Sequence, residues 1–392
     1  MAGVAGRKSK IVKLQDSLIC DAGVRFAIII SKPMNMIDRR GFLLTSAAWA
    51  CVAGCRTAGS VRRTRVAAEL ERQVGLGYFD SAIAGTAEGV VASVGAARGD
   101  SLFEVASVSK TFTHLLAALL WQEGRLDIDA PFVRYLPDHA LAKKGTDITV
   151  RDLAAHVSGF TNGWMGRAGI YSGKWPYADD ADYERAVLSQ LPEFPRRTRC
   201  TYACHNTILL GFIVERICGM DLDAAARRYV WGPLGMTGTT WKNVPADDPR
   251  LVQIYTKGPC PLGTKGDENA RGCTRPIGNA GVFTCFDDLQ RYVADLLDRR
   301  TFPREVYDLL MTPEFELGPK RRSFGWDMSN GTRPPGWSDR TIAHGGYTGQ
   351  LLAIDPKDGR SAIVLTNLRL TDAKGRSQAY EDRRNLAGLL DE

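Results

Sequence analysis

A serine and a lysine three residues apart, Ser107 and Lys110, open an apolar stretch that reads FEVASVSKTFTHLLAALLWQ from Phe103 to Gln122. The stretch predicts a helix whose first turn carries both side chains on one face. A serine hydroxyl is a weak nucleophile at neutral pH. It needs a neighbour that lowers its pKa or removes its proton, and a partly desolvated lysine can do either. The free N–H groups of a helix start add a field that favours negative charge on the serine oxygen. Chance alone supplies about one S-x-x-K in a chain of this size, so the pair needs partners from elsewhere.

The elements that must position those partners follow in order. Arg62 to Val74 has helical apolar spacing, and Ser81 to Gly85 and Gly89 to Val94 are short β-prone runs. A glycine at Gly124 ends the S-x-x-K helix, and a short capped helix covers Ile148 to Leu153. Thr161 to Arg199 is polar and aromatic without periodicity and predicts a long loop wall. Helices are expected over Asn206 to Cys218 and Asp223 to Tyr229. A turn is expected at Gly232 to Met236, and a further helix opening at Gly278 to Phe283 and running from Asp287 to Leu297. The last third predicts strands at Phe324 to Met328, Gln350 to Ile354 and Ser361 to Thr366, then a closing helix from Ser377 to Leu390. Strands at both ends with helices between predict an α+β fold: an antiparallel sheet flanked by terminal helices, with a mainly helical lobe inserted over about 125–275.

A set of markers runs in a fixed order from about Leu102 to Asn367: FEVASVSKTFT, ITVRDLAAHVSGF, TYACHNTILLG, GPLGMTGTTW, GDENARGCTRPIGNAGVFTCFDDL, SFGWDM, and HGGYTGQLLAIDPKDG with IVLTN. Together they resemble the serine β-lactamase and penicillin-binding-protein superfamily, in the class C β-lactamase-related branch that includes esterases and D-alanyl-D-alanine carboxypeptidases. The resemblance implies a β-lactamase/transpeptidase-like fold. It also implies a nucleophile at Ser107, its activating partner at Lys110 and a proton-relaying phenol at Tyr202. His344, Gly345 and Gly346 stand where the family has a Lys-Thr-Gly strand. The backbone N–H groups of Ser107 and Tyr347 would form the oxyanion hole. Cys204 stands where the family usually has a substrate-binding asparagine, and a thiol is a poor substitute for an amide. With the strand lysine also gone, a neutral acyl ester is the easier expected substrate.

Other residues receive quieter roles. His156 is expected to be a structural hydrogen-bonder, and His114 and His205 carry no assigned role. Asp267, Glu268 and Asn269 are expected to shape the cleft, while Trp164, Trp175, Trp326 and Trp337 either line an acyl pocket or pack.

Charge and cysteines bound the setting. The chain has 392 residues and a formal charge of +7. Residues 1–65 hold 12 Lys or Arg against 3 Asp or Glu, leaving 39 against 41 in the rest, so the basicity belongs to the leader and nucleic acid is not implied. Residues 1–33 fit neither signal nor domain and read as a non-native or disordered extension, with translation starting at Met34 or Met36. Residues 34–55 resemble a twin-arginine signal around Arg39 and Arg40 that ends in a lipobox, with lipidation at Cys55. A linker over 56–65 then leads into a hydrolase domain over 66–392. The expected protein is exported, periplasmic or on the cell surface, attached to membrane only through that lipid, and monomeric. Six cysteines remain in the body, and Cys260 with Cys273 brackets a loop that an oxidising compartment could close by a disulfide. Their spacings match no zinc site, and no metal or other cofactor is expected. The expected activity is hydrolysis of an ester or modified amide through a Ser107 acyl-enzyme, on a small-molecule acyl substrate or a cell-wall peptide. The alternatives are a D-alanyl-D-alanine carboxypeptidase or β-lactamase, and a non-catalytic binding lipoprotein of the same fold.

Overall fold

The structure is a computed structural model that describes residues 59–172, 175–256, 260–369 and 373–391, so the leader and Cys55 lie outside the described residues. The chain divides into two units, Met1–Thr64 and Arg65–Glu392, and the site belongs to the second.

In chain order the strands are β1 (Ala82–Thr86), β2 (Gly89–Val94), β3 (Phe103–Glu104), β4 (Phe283–Thr284), β5 (Phe315–Leu317), β6 (Lys320–Arg322), β7 (Ile342–Gly345), β8 (Leu351–Asp355) and β9 (Arg360–Thr366). The helices are α1 (59–75), α2 (Ser109–Gln122), α3 (Val150–Ala154), α4 (Gly163–Arg167), α5 (Asp180–Leu188), α6 (Cys204–Cys218), α7 (Leu222–Ala226), α8 (Gly232–Leu234), α9 (Phe286–Asp298), α10 (Arg304–Met311) and α11 (Ala373–Leu389).

Both ends of the unit build one antiparallel sheet in the order β2-β1-β9-β8-β7. Its strands alternate as the two-residue period requires. Ala82, Ala84, Ala353, Ala362 and Val364 face a core shared with Val66, Leu70 and Leu386 of the terminal helices and with Leu390 just past the last of them. Ile83, Leu352, Ile354, Ile363 and Leu365 face the larger core that holds α2, α6 and α9. The small residues on the outer face let the terminal helices lie close against the sheet.

α2 is buried from Ser109 through Leu120 and α6 from Cys204 through Val214. A helix apolar on all sides belongs inside the protein, and these two form its centre. Between them runs the segment Gly278 to Val282. A Cβ on Gly278 would lie 2.4 Å from the Thr207 carbonyl oxygen and 3.1 Å from Gly211 Cα, so only glycine admits the crossing. The sequence predicts a helix start here, and the structure corrects it. Thr113 Oγ1 donates to Gly278 O at 2.8 Å, Val282 N–H donates to Ser109 Oγ at 3.1 Å, and Trp241 Nε1 donates to Ala280 O at 2.8 Å. These partners hold the segment extended until Phe286 opens α9.

Three other expectations change. The expected loop wall from Thr161 to Arg199 contains α4 and α5. Asp179 caps α5 by accepting the Asp182 N–H, and Tyr183 and Val187 bury its inner face. The expected strand at Phe324 to Met328 is instead a bend at Gly325, φ +98°, where an added Cβ would stand 2.3 Å from the His114 ring. The six cysteines of the body are free thiols, so Cys260 and Cys273 do not form the bridge that an oxidising compartment would permit.

Candidate active site

Ser107 lies in a short 3-10 turn, Ala106–Val108, that feeds directly into α2. The turn is forced: Ala106 has φ +45°, a left-handed conformation that costs a non-glycine residue about 1 kcal/mol or more. Glu104, fully buried on β3, holds it by accepting the Ala106 N–H at 3.1 Å and the Gly281 N–H at 3.0 Å on the same oxygen. One carboxyl group thus ties the nucleophile turn to the crossing segment. Burial, and then the neighbouring Asp267 charge, push this carboxyl up to about 8.

Lys110 is fully buried one turn further on. Its Nζ donates to Ser107 Oγ at 2.9 Å and to the Asn279 carbonyl at 2.7 Å, and lies 5.1 Å from the centre of the Tyr202 ring. Burial works against the ammonium, while Cys204 and Tyr202, once ionised, and the Asp267 charge favour it, so Lys110 stays above the ordinary lysine range. A lysine that stays charged cannot receive the serine proton. Of the two ways a lysine can activate a hydroxyl, this site is built for the electrostatic one.

Tyr202 immediately precedes α6. Although 42% of its surface is accessible, the crowding around it raises its pKa, while Lys110 and hydrogen bonding with Lys110 and Ser107 oppose the rise. Its ring is flanked by two imidazoles, His156 at 4.8 Å and His344 at 6.2 Å between centroids. His156 accepts the Ala203 N–H at 3.3 Å through Nδ1, and Asn206 Nδ2 lies 3.1 Å from the same atom. It fixes the backbone next to Tyr202, a structural role. His344 on β7 has Nδ1 3.2 Å from the Gly345 carbonyl, which suits an Nδ1–H tautomer, and its buried Nε2 has no partner. Burial, with the Lys110 and Arg322 charges, keeps His344 far below the ordinary imidazole pKa, and the same causes, burial first, keep His156 neutral.

The remaining expected residues lie around this centre. A Cβ on Gly346 would lie 2.8 Å from the Val105 carbonyl, so this glycine lets the corner before Tyr347 lie against the Ser107 turn. Gly345 faces the Arg383 guanidinium, which a Cβ would approach to 2.9 Å. Tyr347 is held from behind, its carbonyl accepting from Arg376 at 2.8 Å and from Tyr380 at 3.0 Å. Cys204 is buried, and burial raises its thiol pKa, so it is a neutral group. Asn269 Nδ2 donates to its sulfur at 3.6 Å and Asn269 Oδ1 accepts from Tyr171 at 2.9 Å. Asp267 accepts the Asn269 N–H at 2.8 Å, which closes a turn in the loop that carries Asn269 to Cys204. The four tryptophans pack: Trp164 donates to His205 at 3.1 Å, Trp175 lies on Tyr183 at 5.1 Å, Trp326 is fully buried, and Trp337 joins the outer core.

Sequence reasoning missed Glu104, Asn279 and Arg322. Glu104 stands inside the FEVASVSK marker, three residues before the serine, and a carboxylate in so apolar a stretch was the available signal. Asn279 stands inside the GDENARGCTRPIGNAGVFTCFDDL marker but meets Lys110 through its backbone carbonyl, which no side-chain reading could name, and Arg322 carries no motif. Among the described residues, no three His, Cys, Asp or Glu side chains converge as a metal site requires.

The family model described as β-lactamase matches residues 75–386. The chain belongs to the β-lactamase family. It is a serine hydrolase by that membership, and its relatives differ in their chemistry. This β-lactamase-family chain is 26% identical over 309 residues to esterase EstB of Burkholderia gladioli, covering 69% of the chain and 78% of the esterase. It is 25% identical over 309 residues to the N-acetylmuramyl-L-alanine amidase of Bacillus subtilis, covering 69% of each. The fold matches that of the D-alanine carboxypeptidase AmpC from Burkholderia cenocepacia at a TM-score of 0.64 and 20% identity, over 84% of this chain and 99% of the other.

Proposed function

We propose that the chain hydrolyses esters through an acyl-enzyme on Ser107. The observation that carries the reading is the Lys110 ammonium, which donates to Ser107 Oγ and lies under the Tyr202 ring. Ser107 Oγ attacks the ester carbonyl as its proton passes to Tyr202 in the phenolate form, whose charge Lys110 offsets. The carbonyl oxygen takes up negative charge facing the N–H groups of Ser107 and Tyr347. Collapse breaks the bond to the leaving oxygen, which takes the proton from Tyr202. Water then repeats the sequence: its proton goes to Tyr202, its oxygen to the acyl carbon, and Ser107 recovers its hydrogen.

Ester chemistry is favoured over peptide or β-lactam chemistry by Cys204, a buried thiol at the position where the resemblance puts a substrate-binding asparagine. A thiol is a weak donor and a weak acceptor, so it holds a substrate amide less well than a side-chain amide would. A D-alanyl-D-alanine carboxypeptidase is the second reading, supported by the cell-wall names among the relatives and by the expected export, which rests on the twin-arginine leader and the lipobox at Cys55. The enzyme would then meet its acyl substrate outside the cytoplasm.

A short-chain nitrophenyl ester and a chromogenic cephalosporin, assayed on one preparation, test the order. Faster turnover of the cephalosporin overturns it. Labelling by a fluorophosphonate that disappears in Ser107→Ala excludes a protein that only binds; failure to label the wild-type protein would sink the catalytic reading.

A further inference from the structure

The turn between β7 and β8 carries Tyr347, whose N–H the resemblance assigns to the oxyanion hole, and it is rich in glycine, with Gly345, Gly346 and Gly349 close together. Left to itself such a segment samples many backbone conformations. Two internal bonds close it: Gly346 N–H donates to the Gln350 carbonyl at 2.8 Å, and Gly349 N–H donates to the Gly346 carbonyl at 3.1 Å.

The rest of the hold comes from α11. Arg376, Tyr380 and Arg383 follow one another at helical spacing, so they share one face of that helix. Arg376 and Tyr380 both donate to the Tyr347 carbonyl. Arg383 Nη1 donates to the Gln350 carbonyl at 2.5 Å and reaches the Gly346 carbonyl at 3.4 Å. The helix therefore grips the peptide planes on both sides of the Tyr347 Cα. Arg383 forms no ion pair among the described residues, and its Nε is buried without a partner. Burial lowers its pKa to about 10, so it is still a cation at neutral pH. A covered guanidinium without a carboxylate is destabilising, and the carbonyls of this turn are what it holds instead.

The consequence falls on the Gly346–Tyr347 peptide. In a trans peptide the C=O and the N–H point in opposite directions. Arg383, holding the Gly346 carbonyl from the α11 side, aims the Tyr347 N–H the other way, toward the Ser107 turn against which Gly346 packs. A cation on that carbonyl also polarises the peptide and makes its N–H a stronger donor.

We propose that Arg383, with Tyr380 beside it, is a positioning residue for catalysis: from α11 it fixes and polarises the peptide whose N–H stabilises the substrate oxyanion. The proposal rests on the acyl-enzyme reading for its chemistry. Arg383 acts through Tyr347 and not on the substrate itself.

The test compares 4-nitrophenyl acetate with its thiono counterpart, in which sulfur replaces the carbonyl oxygen. Sulfur is a weak acceptor, so it draws little from the N–H donors of the hole. Arg383→Met is expected to lower kcat/KM for the oxygen ester by about 10- to 100-fold and for the thiono ester far less, so the oxygen-to-sulfur ratio falls by about ten-fold or more. Arg383→Lys keeps a cationic donor and restores part of the ratio. Tyr380→Phe removes one hydrogen bond and no packing, and should lower the ratio by about two- to ten-fold, which keeps the test in force if Arg383→Met fails to fold. Hydrogen exchange over residues 345–350 needs no turnover and should quicken by about ten-fold in Arg383→Met and by less in Tyr380→Phe. An equal loss on both esters with an unchanged ratio assigns Arg383 to the fold alone; it overturns the proposal and leaves the ester reading standing. No hydrolysis of either ester by the wild-type protein overturns the ester reading. Quickened exchange then still supports the grip of α11 on the turn, and unchanged exchange overturns that as well.

Discussion

Lys110 Nζ donates to Ser107 Oγ across 2.9 Å, and its other bond, 2.7 Å to the Asn279 carbonyl, comes from 169 residues further along the chain. The helix supplies the spacing of the pair, but the distant segment fixes where the ammonium sits. The tetrapeptide alone therefore says little, and its placement against Gly278 to Val282 makes it chemical.

Replacing Ser107 by alanine is expected to lower ester turnover by about ten-thousand-fold. The substitution removes one hydrogen-bond acceptor of Lys110 and no packing volume, so the melting temperature should shift by no more than about 4 °C. Steady-state kinetics and a thermal scan on the same sample check both statements.

Tyr202→Phe is expected to lower kcat by about 100- to 10,000-fold. Crowding raises the phenol above its ordinary pKa of 10.0, so below that value the ionised fraction grows about ten-fold per pH unit. The wild-type kcat/KM should therefore climb through neutral into alkaline pH, and the climb should vanish in the variant. Rates between pH 6 and 9, corrected for spontaneous hydrolysis, decide it; a flat wild-type profile would remove Tyr202 as the base.

Gly325→Ala should destabilise the protein by about 3 kcal/mol or more. Its φ is +98°, and the new methyl group would stand 2.3 Å from the His114 ring in a region with no room to yield. Urea denaturation measures the loss.

Glu104→Gln tests the buried carboxyl through its pH dependence. The folded protein holds this proton up to about pH 8, against an ordinary value of 4.5. Between those limits the folded state binds a proton that the unfolded chain has released, so this group's contribution to stability falls as pH rises. The glutamine keeps the acceptor oxygen and loses the titration. The melting temperature of the variant relative to wild type should be higher at pH 8 than at pH 5.

The sheet and its helices were legible where a period ran unbroken, as in Ser361 to Thr366 and in the apolar stretch of α2. The reading failed where a distant contact overrides local preference. Gly278 to Phe283 has the glycines and apolar residues of a helix start, but Ser109, Thr113 and Trp241 claim its backbone groups. Phe324 to Met328 alternates like a strand, yet the His114 ring demands a bend at Gly325. The site was legible for the same reason that the tetrapeptide needed help: Tyr202 and His344 could be named only through the order of several markers. Arg322, which belongs to no marker, became visible only as a buried cation with idle donors.

The chain has five histidines, and burial depresses every one: His114 and His205 to about 3, His139 to about 4, His156 and His344 well below 6.5. Each would gain a proton on unfolding in mildly sour surroundings, so below about pH 6.5 the unfolded chain acts as a proton sink that drains the native population. Glu104, Glu215 and Asp288, whose carboxyls burial pushes up, pull the other way, but they are three against five. An acid bath should thus melt the enzyme, in addition to the loss of rate that the falling phenolate fraction of Tyr202 already brings.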